Sequence, residues 1–286
     1  MAKKVVLTAD SSCDIGPELQ EKYSVHFTPL HVIIGEKDFL DGVDIDSDRV
    51  YQLWNETKTL PKTSAVTVAD YVSVFSSYVK QGFAVIHISL GSALSCTHQN
   101  AVLAASEFED VHIIDSQSLS TGCGLIVCEV GERIAKGLSA EQIVREVSPM
   151  VLKTSASFIL DDLEFLHAGG RCSSLTQLGA NLMNIKPTIR VLNDKCGAMS
   201  VGKKFIGKFN KCVIKYVEQQ LEGRSDVVLD RLFITHSGMS DPGIIDAVKA
   251  RALALQPFKE VHITHSSCTI SSHCGPDTIG VLFLTK

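Results

Sequence analysis

The chain has 286 residues, of which 45% are hydrophobic and 21% are charged, and its formal net charge at pH 7 is -5. This length suits one large domain or two smaller ones, and the composition is that of a globular protein rather than a disordered one. The acidic balance argues against a protein that binds nucleic acid or anionic membranes in general, because both partners require a positive surface. A local basic patch, with transient contact to a membrane surface, remains open.

The sequence carries no stretch that approaches the roughly 20 apolar residues needed to cross a bilayer. A short apolar run at Val5–Leu7 is soon interrupted by Asp10, which predicts a first strand rather than a signal peptide. Nine cysteines are scattered along the chain, odd in number and without a C-x-x-C motif. This usage predicts reduced thiols in the cytoplasm rather than a disulfide framework or a zinc site.

Short aliphatic runs alternate with amphipathic runs along the chain. The predicted strands, in chain order, are Lys4–Leu7, His31–Ile34, Ala84–Leu90, Val111–Ile114, Leu232–Thr235, Val261–Thr264 and Ile279–Leu284. Apolar residues at three- and four-residue steps predict helices over Val68–Val79, Gln99–Phe108, Leu125–Lys136, Ala140–Met150, Ile206–Leu221 and Pro242–Leu255. Asp46 is the predicted N-cap of a further helix that runs through Trp54. This alternation predicts an α/β protein with mostly parallel sheets.

The pattern changes near residue 155. The stretch Asp161–Arg190 reads as short helices and loops, with Gly169, Gly170 and Gly179 inside it. We therefore predict two α/β domains, at residues 1–155 and 156–286.

Hydroxyl side chains gather where several predicted strands end. The sets are Ser11 with Ser12, Ser92 to Thr97, Ser116 with Ser118, and Thr264 to Ser267. In open α/β sheets this edge is where ligands bind. Ser95 and Thr97 also precede a predicted helix, whose free N–H groups and positive dipole end favour a small anion. Thr63 precedes the helix Val68–Val79 in the same way. Because Ser and Thr cap helices with or without a ligand, a plain capping role stays open for each.

Sequence motifs for nucleotide binding, serine hydrolysis and metal binding are incomplete or absent. The G-x-G at Gly122 lacks the third glycine of a dinucleotide site, and the sequence has neither a nucleotide phosphate loop nor a G-x-S-x-G elbow. His265, His273, Cys268 and Cys274 do not have the spacing of a closed metal site. The sequence therefore predicts no metal and no other cofactor.

A glycine pair followed by arginine, Gly169-Gly170-Arg171, is more informative. The glycines let the backbone turn or approach closely, and the guanidinium can fork onto a carboxylate or phosphate. A buried pair between Arg171 and an acidic side chain is the alternative. His273 stands in a similar setting, in a predicted tight turn before the last strand.

Eight segments, taken in order and spread over nearly the whole chain, resemble motifs of the DegV family of fatty-acid-binding proteins. Each motif is short, but eight in sequence are specific. They are Thr8–Asp14 (T-D-S-T-S-D in the family), Asp41–Ile45 (D-G-V-D-I), Thr63–Thr67 (T-S-Q-P-S), Ser92–Gln99 (S-x-L-S-G-T-Y-Q), Ile114–Ser116 (V-I-D-S), Ala168–Ser173 (K-G-G-R-I-S), Ile185–Pro187 (I-K-P) and His273–Pro276 (H-x-G-P).

The resemblance implies two α/β domains with a long-chain fatty acid between them, its carboxylate held by residues 1–155 and its acyl chain by residues 156–286. Thr63 and Ser95 would hydrogen-bond the carboxylate, with His273 nearby, and Arg171 would belong to a loop that covers the site. The fatty-acid-binding residues implied are Thr63, Ser92, Ser95, Thr97, Arg171 and His273.

The resemblance also implies a role. In bacteria such proteins serve phospholipid metabolism by presenting a bound fatty acid to a separate fatty acid kinase, and they are not enzymes themselves. The family often carries several arginines after its I-K-P motif, whereas Gly202–Lys208 has lysines and no arginine. Docking with a kinase in the usual way is therefore left open.

Apolar residues of the second predicted domain are candidates for the acyl tunnel, although such spacings are also typical of plain core. They are Phe158, Leu160, Leu163, Phe165, Leu166, Leu182, Met183 and Ile185. At about 0.8 kcal/mol per buried methylene, a tail of about fourteen methylenes gives on the order of 11 kcal/mol before association costs. The hydroxyls would then set the register while the tail supplies the affinity.

The residues alone leave open two functions other than that of a lipid carrier. One is a hydrolase or phosphotransferase with Ser95 or Ser12 as its nucleophile. The other is a regulatory module in which the pocket senses a lipid.

Overall fold

The computed structural model describes residues 3–178 and 185–286 of the chain. Its strands are β1 (Val5–Asp10), β2 (His26–Thr28), β3 (His31–Ile34), β4 (Lys37–Leu40), β5 (Lys62–Ser64), β6 (Ala84–Ser89), β7 (Val111–Asp115), β8 (Thr154–Leu160), β9 (Ile185–Leu192), β10 (Ala198–Ile206), β11 (Val227–His236), β12 (Glu260–His265) and β13 (Thr278–Thr285). Its α-helices are α1 (Gly16–Tyr23), α2 (Ser47–Thr57), α3 (Val68–Val79), α4 (Thr97–Ala105), α5 (Thr121–Ala135), α6 (Ala140–Val147), α7 (Glu164–Gly169), α8 (Phe209–Leu221), α9 (Gly243–Leu255) and α10 (Cys268–Cys274). Within these ranges, no helix is long and apolar enough to span a membrane.

A parallel sheet of four strands, in the order β2-β1-β6-β7, is built from the first 115 residues. Helix α1 connects β1 to β2, and α4 connects β6 to β7. Because parallel strands point the same way, their carboxyl ends at Asp10, Ser89 and Asp115 lie at one edge of the sheet. The hydroxyl-rich loops that follow these strands meet at this edge.

A small antiparallel sheet, in the order β4-β3-β5, lies between β2 and α3 along the chain. Its third strand has only three residues, and Thr63 in the middle of it pairs with Val32 of β3. Because side chains alternate across a strand, this pairing fixes the face of the sheet on which the Thr63 side chain lies.

The sheet of the carboxyl-terminal half has six strands in the order β10-β9-β8-β13-β11-β12. The prediction of mostly parallel sheets is wrong for it, since four of its pairings are antiparallel and the β11–β12 pairing is parallel. The reason lies in the connections. Only Asn193–Gly197 separates β9 from β10, and so short a link permits an antiparallel hairpin but no crossover. Helix α9 joins β11 to β12 and allows them to run parallel.

Strand β13 shows why these strands lack polar alternation. Ile279, Val281 and Phe283 pack into one apolar cluster with α8 and α9, whereas Leu282 and Leu284 belong to a second cluster on the opposite face. Successive side chains point to opposite faces of a sheet, so a strand covered on both faces is apolar throughout.

Helix α5 packs against both large sheets, with contacts to β1 and β6 on one side and to β8 and β13 on the other. Its glycines let the chain that follows β1 approach closely: a Cβ on Gly124 would lie 2.7 Å from the Cys13 carbonyl oxygen, just after β1, and one on Gly131 would lie 2.5 Å from the Tyr23 ring at the end of α1. The apolar cluster around this helix includes residues of both sheets. The domain boundary at residue 155 stays a prediction, and Thr154 begins the first strand of the six-stranded sheet.

Candidate functional site

Two adjacent cavities lie between the parallel sheet, the small sheet and the six-stranded sheet. The first cavity is the one lined by Thr63, Ser95, Arg171 and His273, and its volume is about 550 Å³ counted to its open mouth. The structure thus brings together four of the six predicted binding residues. The rest of its wall is mainly apolar and includes Leu30, Leu90, Leu94, Leu119, Leu166 and Met199. Residues of both predicted domains contribute to this lining.

A hydroxyl and an imidazole form the central pair of the first cavity. Thr63 Oγ1 lies 2.8 Å from His273 Nε2. His273 stands in the last turn of α10 rather than in the predicted tight turn, and Gly275 just beyond has a φ of +73°. The strand β5 and the helix α10 are thereby joined at the site.

His273 is neutral at physiological pH. Burial, followed by the positive charge of Arg171, lowers the pKa of His273 to about 4. Its other ring nitrogen, Nδ1, is buried and has no hydrogen-bond partner among the described residues. Nδ1 faces Gly169 so closely that a Cβ at that position would lie 2.3 Å from it. The first glycine of the predicted glycine–arginine loop therefore makes room for this ring.

The proton of the neutral ring belongs on Nε2. A buried N–H without an acceptor is rarer in proteins than an acceptor without a donor, so the unpartnered Nδ1 is the unprotonated nitrogen. Nε2–H then donates to Thr63 Oγ1, and the Thr63 hydroxyl keeps its own proton for a group in the cavity. The pair acts as an oriented hydrogen-bond donor.

Ser95 is oriented by the start of α4. Its Oγ accepts a hydrogen bond from the backbone N–H of Thr97 at 3.2 Å and lies 2.8 Å from Thr97 Oγ1. Thr97 is fully buried and its side chain supports Ser95 rather than lining either cavity. Ser92 does not line them either, and its backbone N–H donates to Asp115 at 3.3 Å.

Arg171 lies at the exposed side of the first cavity. Within the described ranges, Arg171 donates hydrogen bonds to backbone carbonyls, from Nη1 to Gly169 at 2.8 Å and from Nε to Leu94 at 3.4 Å. The buried arginine–acid pair considered as the alternative does not form there. The guanidinium therefore supplies positive charge beside two hydroxyl donors, which suits a small anion such as a carboxylate.

The second cavity has a volume of about 370 Å³ with the open space at its mouth included, and it shares the lining residues Leu119, Ile270 and Cys274 with the first. Its wall includes Ala156, Phe158, Val191 and Leu282 of the six-stranded sheet and its loops. Because they share lining residues, the cavities lie side by side, with the polar side chains in the first and the six-stranded sheet in the second, and we refer to the two together as the ligand path.

Hydroxyl groups also occur in the wall of the second cavity, but they are engaged with the protein. Ser157 Oγ lies 3.0 Å from Tyr216 Oη, and Thr278 Oγ1 donates to the Cys274 carbonyl at 3.0 Å. A hydroxyl that is already paired leaves mainly its hydrocarbon part for a ligand. This part of the path is suited to an apolar chain.

Of the predicted tunnel residues, Phe158 lines the second cavity and Leu166 lines the first. Leu160 is core, fully buried in the cluster around α5, and the ring of Phe165 packs against Tyr51 and Trp54. Leu163 and Ile185 line a separate groove near Asp161. Leu182 and Met183 lie outside the described residues.

Helix α10 is held in place by two aspartates that were not predicted from the sequence as site residues. Asp41 accepts hydrogen bonds from the N–H groups of Cys268 and Thr269, at 2.9 and 3.1 Å. Asp14 accepts one from Ser267 N–H at 2.9 Å, and burial raises the pKa of Asp14 to about 7. The signal was present, since both aspartates belong to the motifs that resemble the family, but only the fold shows their partner.

The geometry gives no support to a serine nucleophile. Ser95 hydrogen-bonds Thr97 and no imidazole, and Ser12 Oγ is buried without a partner in the described chain. Thr63 does contact His273, but no carboxylate orients the ring in the described residues, and its lowered pKa makes it a weak base. The described ranges also hold no group of three or more metal-ligating side chains.

A family model described as "Uncharacterised protein, DegV family" matches residues 4–286. A curated DegV domain-containing protein of Clostridium perfringens is 31% identical over 218 residues, which are 76% of this chain and 77% of the relative. One from Caldanaerobacter subterraneus subsp. tengcongensis is 27% identical over 287 residues, which are 99% of this chain and 100% of the relative.

Solved structures share the fold. One is a DegV family protein from Thermus thermophilus, whose structure was described for its fatty acid binding. It has a TM-score of 0.87 at 26% identity, and the match covers 99% of this chain and 100% of that protein. A fatty-acid-binding DegV family protein from Streptococcus agalactiae has a TM-score of 0.87 at 22% identity, with 100% of both chains covered. The predicted resemblance and the predicted α/β fold class are confirmed.

Proposed function

Because the chain belongs to the DegV family, we propose that it is a non-enzymatic protein that binds a long-chain fatty acid non-covalently. The carboxylate lies in the first cavity and the acyl tail extends into the second. The main support is the order of the two cavities, with oriented hydroxyls and a guanidinium at one end and a largely apolar wall at the other.

The head group is held by two hydroxyl donors and one positive charge. Thr63, oriented by His273, and Ser95, oriented by Thr97, each donate to a carboxylate oxygen. Arg171 balances the charge from the exposed side. A carboxylate is acceptor-only and has about four lone-pair sites, so it matches a set of donors and needs no cofactor.

The tail supplies most of the affinity. Each methylene that leaves water contributes about 0.8 kcal/mol, whereas a buried carboxylate without partners would cost several kcal/mol. The hydroxyls therefore offset the desolvation of the head and fix which end of the ligand enters the second cavity. Acids with short chains are expected to bind poorly.

We further propose that the bound acid is presented to a separate kinase in the cytoplasm and so enters phospholipid metabolism. A head group at the exposed end of the path, beside Arg171, favours such a transfer because a partner can reach it without removing the tail. The lysines of Gly202–Lys208 offer positive charge to an acidic partner even without arginines.

The binding proposal is tested by organic extraction of the purified protein followed by mass spectrometry, and by calorimetric titration of the delipidated protein with hexadecanoate. Thr63→Val and Ser95→Ala are each expected to weaken binding by about 1.5–3 kcal/mol, the loss of one hydrogen bond to a charged group. Ser92→Ala, which alters a predicted residue outside the cavity lining, is the matched control. Protein that carries no lipid and does not bind hexadecanoate would refute the proposal.

A further inference from the structure

We propose that Thr269 is a third hydroxyl donor to the head group of the ligand. Thr269 lines the first cavity, and its Oγ1 is buried without a hydrogen-bond partner among the described residues. The inference rests on the proposed fatty acid binding and adds to it a residue outside the motifs that resemble the family.

The position of Thr269 on α10 places it beside the proposed members of the site. It precedes His273 by four residues, so the two side chains lie on the same face of the helix. Asp41 Oδ2 accepts the backbone N–H of Thr269 at 3.1 Å, which fixes the start of the helix and with it the backbone position of Thr269. Thr269 is thus held in the wall of the cavity through its backbone, and its hydroxyl has no partner among the described residues.

An unpartnered hydroxyl at such a position points to a ligand. Burying a hydroxyl without an acceptor is unfavourable, and most buried polar groups in proteins are paired. Of the eight buried side-chain N and O atoms without a partner in the described chain, two belong to residues that line the first cavity, Thr269 Oγ1 and His273 Nδ1. Only Thr269 carries a proton to donate, because the proton of the neutral His273 ring is on Nε2.

The ligand chemistry follows from the count of donors. Thr63 and Ser95 supply one donor each, and a carboxylate has room for more than two. A third hydroxyl therefore completes the solvation of a charged, acceptor-only head and discriminates against an ester, which carries no charge. Thr269 is in this sense a specificity-determining residue for a free acid.

The test compares Thr269→Val with Thr269→Ser, using hexadecanoate and methyl hexadecanoate as ligands for the delipidated protein. Thr269→Val keeps the shape and removes the hydroxyl, so it is expected to weaken hexadecanoate binding about tenfold or more and to affect the ester less. Thr269→Ser is expected to retain most of the affinity. The unfolding midpoint of the ligand-free Thr269→Val protein should equal or exceed that of the wild type, because no internal hydrogen bond is lost.

Thr154→Val is the matched control, since Thr154 Oγ1 is also buried without a partner in the described chain but lines neither cavity. Should Thr269→Val lower the unfolding midpoint, Thr269→Ala provides the same comparison. An affinity of Thr269→Val equal to that of the wild type, or an equal loss for acid and ester, would overturn the inference alone. Wild-type protein that binds neither ligand would overturn the proposed function and this inference with it.

Discussion

Replacing Gly169 with alanine tests whether the His273 ring has to lie where the structure places it. Gly169 ends α7, and a Cβ built on it lies 2.3 Å from His273 Nδ1. On its other side the same ring is 2.8 Å from Thr63 Oγ1. The ring is confined between a backbone and a hydroxyl, so an added methyl group has to displace it.

The size of the effect follows from contact distances. Ordinary contact for a Cβ begins near 3.4 Å, so the methyl group and Nδ1 have to separate by about 1 Å. The hydrogen bond on the far side already has a normal length and does not shorten by that amount. The ring therefore rotates away, and the Thr63 hydroxyl loses the donor that orients it. Because a hydrogen bond to a charged group is worth about 1.5–3 kcal/mol, hexadecanoate is expected to bind about tenfold more weakly, or worse.

The assay is calorimetric titration of the delipidated protein with hexadecanoate, with urea unfolding to follow stability. Gly170→Ala is the matched control, because Gly170 has a φ of +66° and no atom lies within 4 Å of an added Cβ. It is expected to lower the free energy of unfolding by about 1 kcal/mol through backbone strain. Its affinity should stay close to that of the wild type, since His273 is not displaced.

Equal affinities of the wild type and Gly169→Ala would refute the idea that the ring position matters. A second result would do so as well. Thr63→Val and Gly169→Ala disrupt the same hydrogen bond, so their effects are expected to be less than additive. Full additivity in the double variant would mean that the two residues act separately.

Three further predictions concern the tail, the passage between the cavities and the response to pH. Shortening the ligand from hexadecanoate to tetradecanoate removes two methylenes and with them about 1.6 kcal/mol of binding free energy, so binding should weaken about 15-fold in the same titration. Equal affinities for the two acids would contradict burial of the tail. Ile270 lines both cavities, and Ile270→Phe places a larger side chain between them. This variant should lose more affinity for hexadecanoate, whose tail extends into the second cavity, than for the shorter decanoate. An equal loss for the two acids would count against a shared path. Burial raises the pKa of Asp14 from 3.8 to about 7, so the folded protein binds this proton more tightly than the unfolded chain and loses stability as the pH rises through that range. The Asp14→Asn variant has no titrating carboxyl group at this position. Its free energy of unfolding minus that of the wild type should therefore increase between about pH 4 and pH 7 and then level off. A difference that does not vary with pH in urea unfolding would contradict the assignment.

Local sequence patterns were sufficient for most of the regular elements. The helix Val68–Val79 has the predicted bounds, because Thr67 and Asp70 form a reciprocal capping box before its apolar face. The predicted N-cap is confirmed, since the Asp46 side chain accepts from Arg49 N–H at 2.8 Å. The predicted strand Ile279–Leu284 lies within β13.

The failures occur where long-range contacts decide the structure. Strand β10 contains Gly202 and two exposed lysines, and as an edge strand paired only with β9 it lacks the apolar pattern of a buried one. The helix predicted from Ile206 begins at Phe209, because Ile206 still belongs to β10. The seven-residue α10 has little propensity of its own and depends on Asp14 and Asp41 for its first N–H groups.

For the site, the residues alone indicated hydroxyls at strand ends, and the family resemblance selected among them. Neither distinguished Ser95, which lines the first cavity, from Thr97 and Ser92, which do not. That difference depends on the turn after β6. Thr269 was missed because its hydroxyl is notable only for having no partner among the described residues, which a sequence does not reveal.

Helix α10 contributes to both ends of the ligand path. Thr269 and His273 face the polar end, while Ile270 and Cys274, the neighbouring residues in the sequence, stand at the junction with the apolar end. A substitution that shifts this helix therefore changes the selectivity for the head group of the ligand and the selectivity for the length of its acyl chain together. Within this fold, the two kinds of selectivity would therefore diverge together between relatives, rather than one at a time.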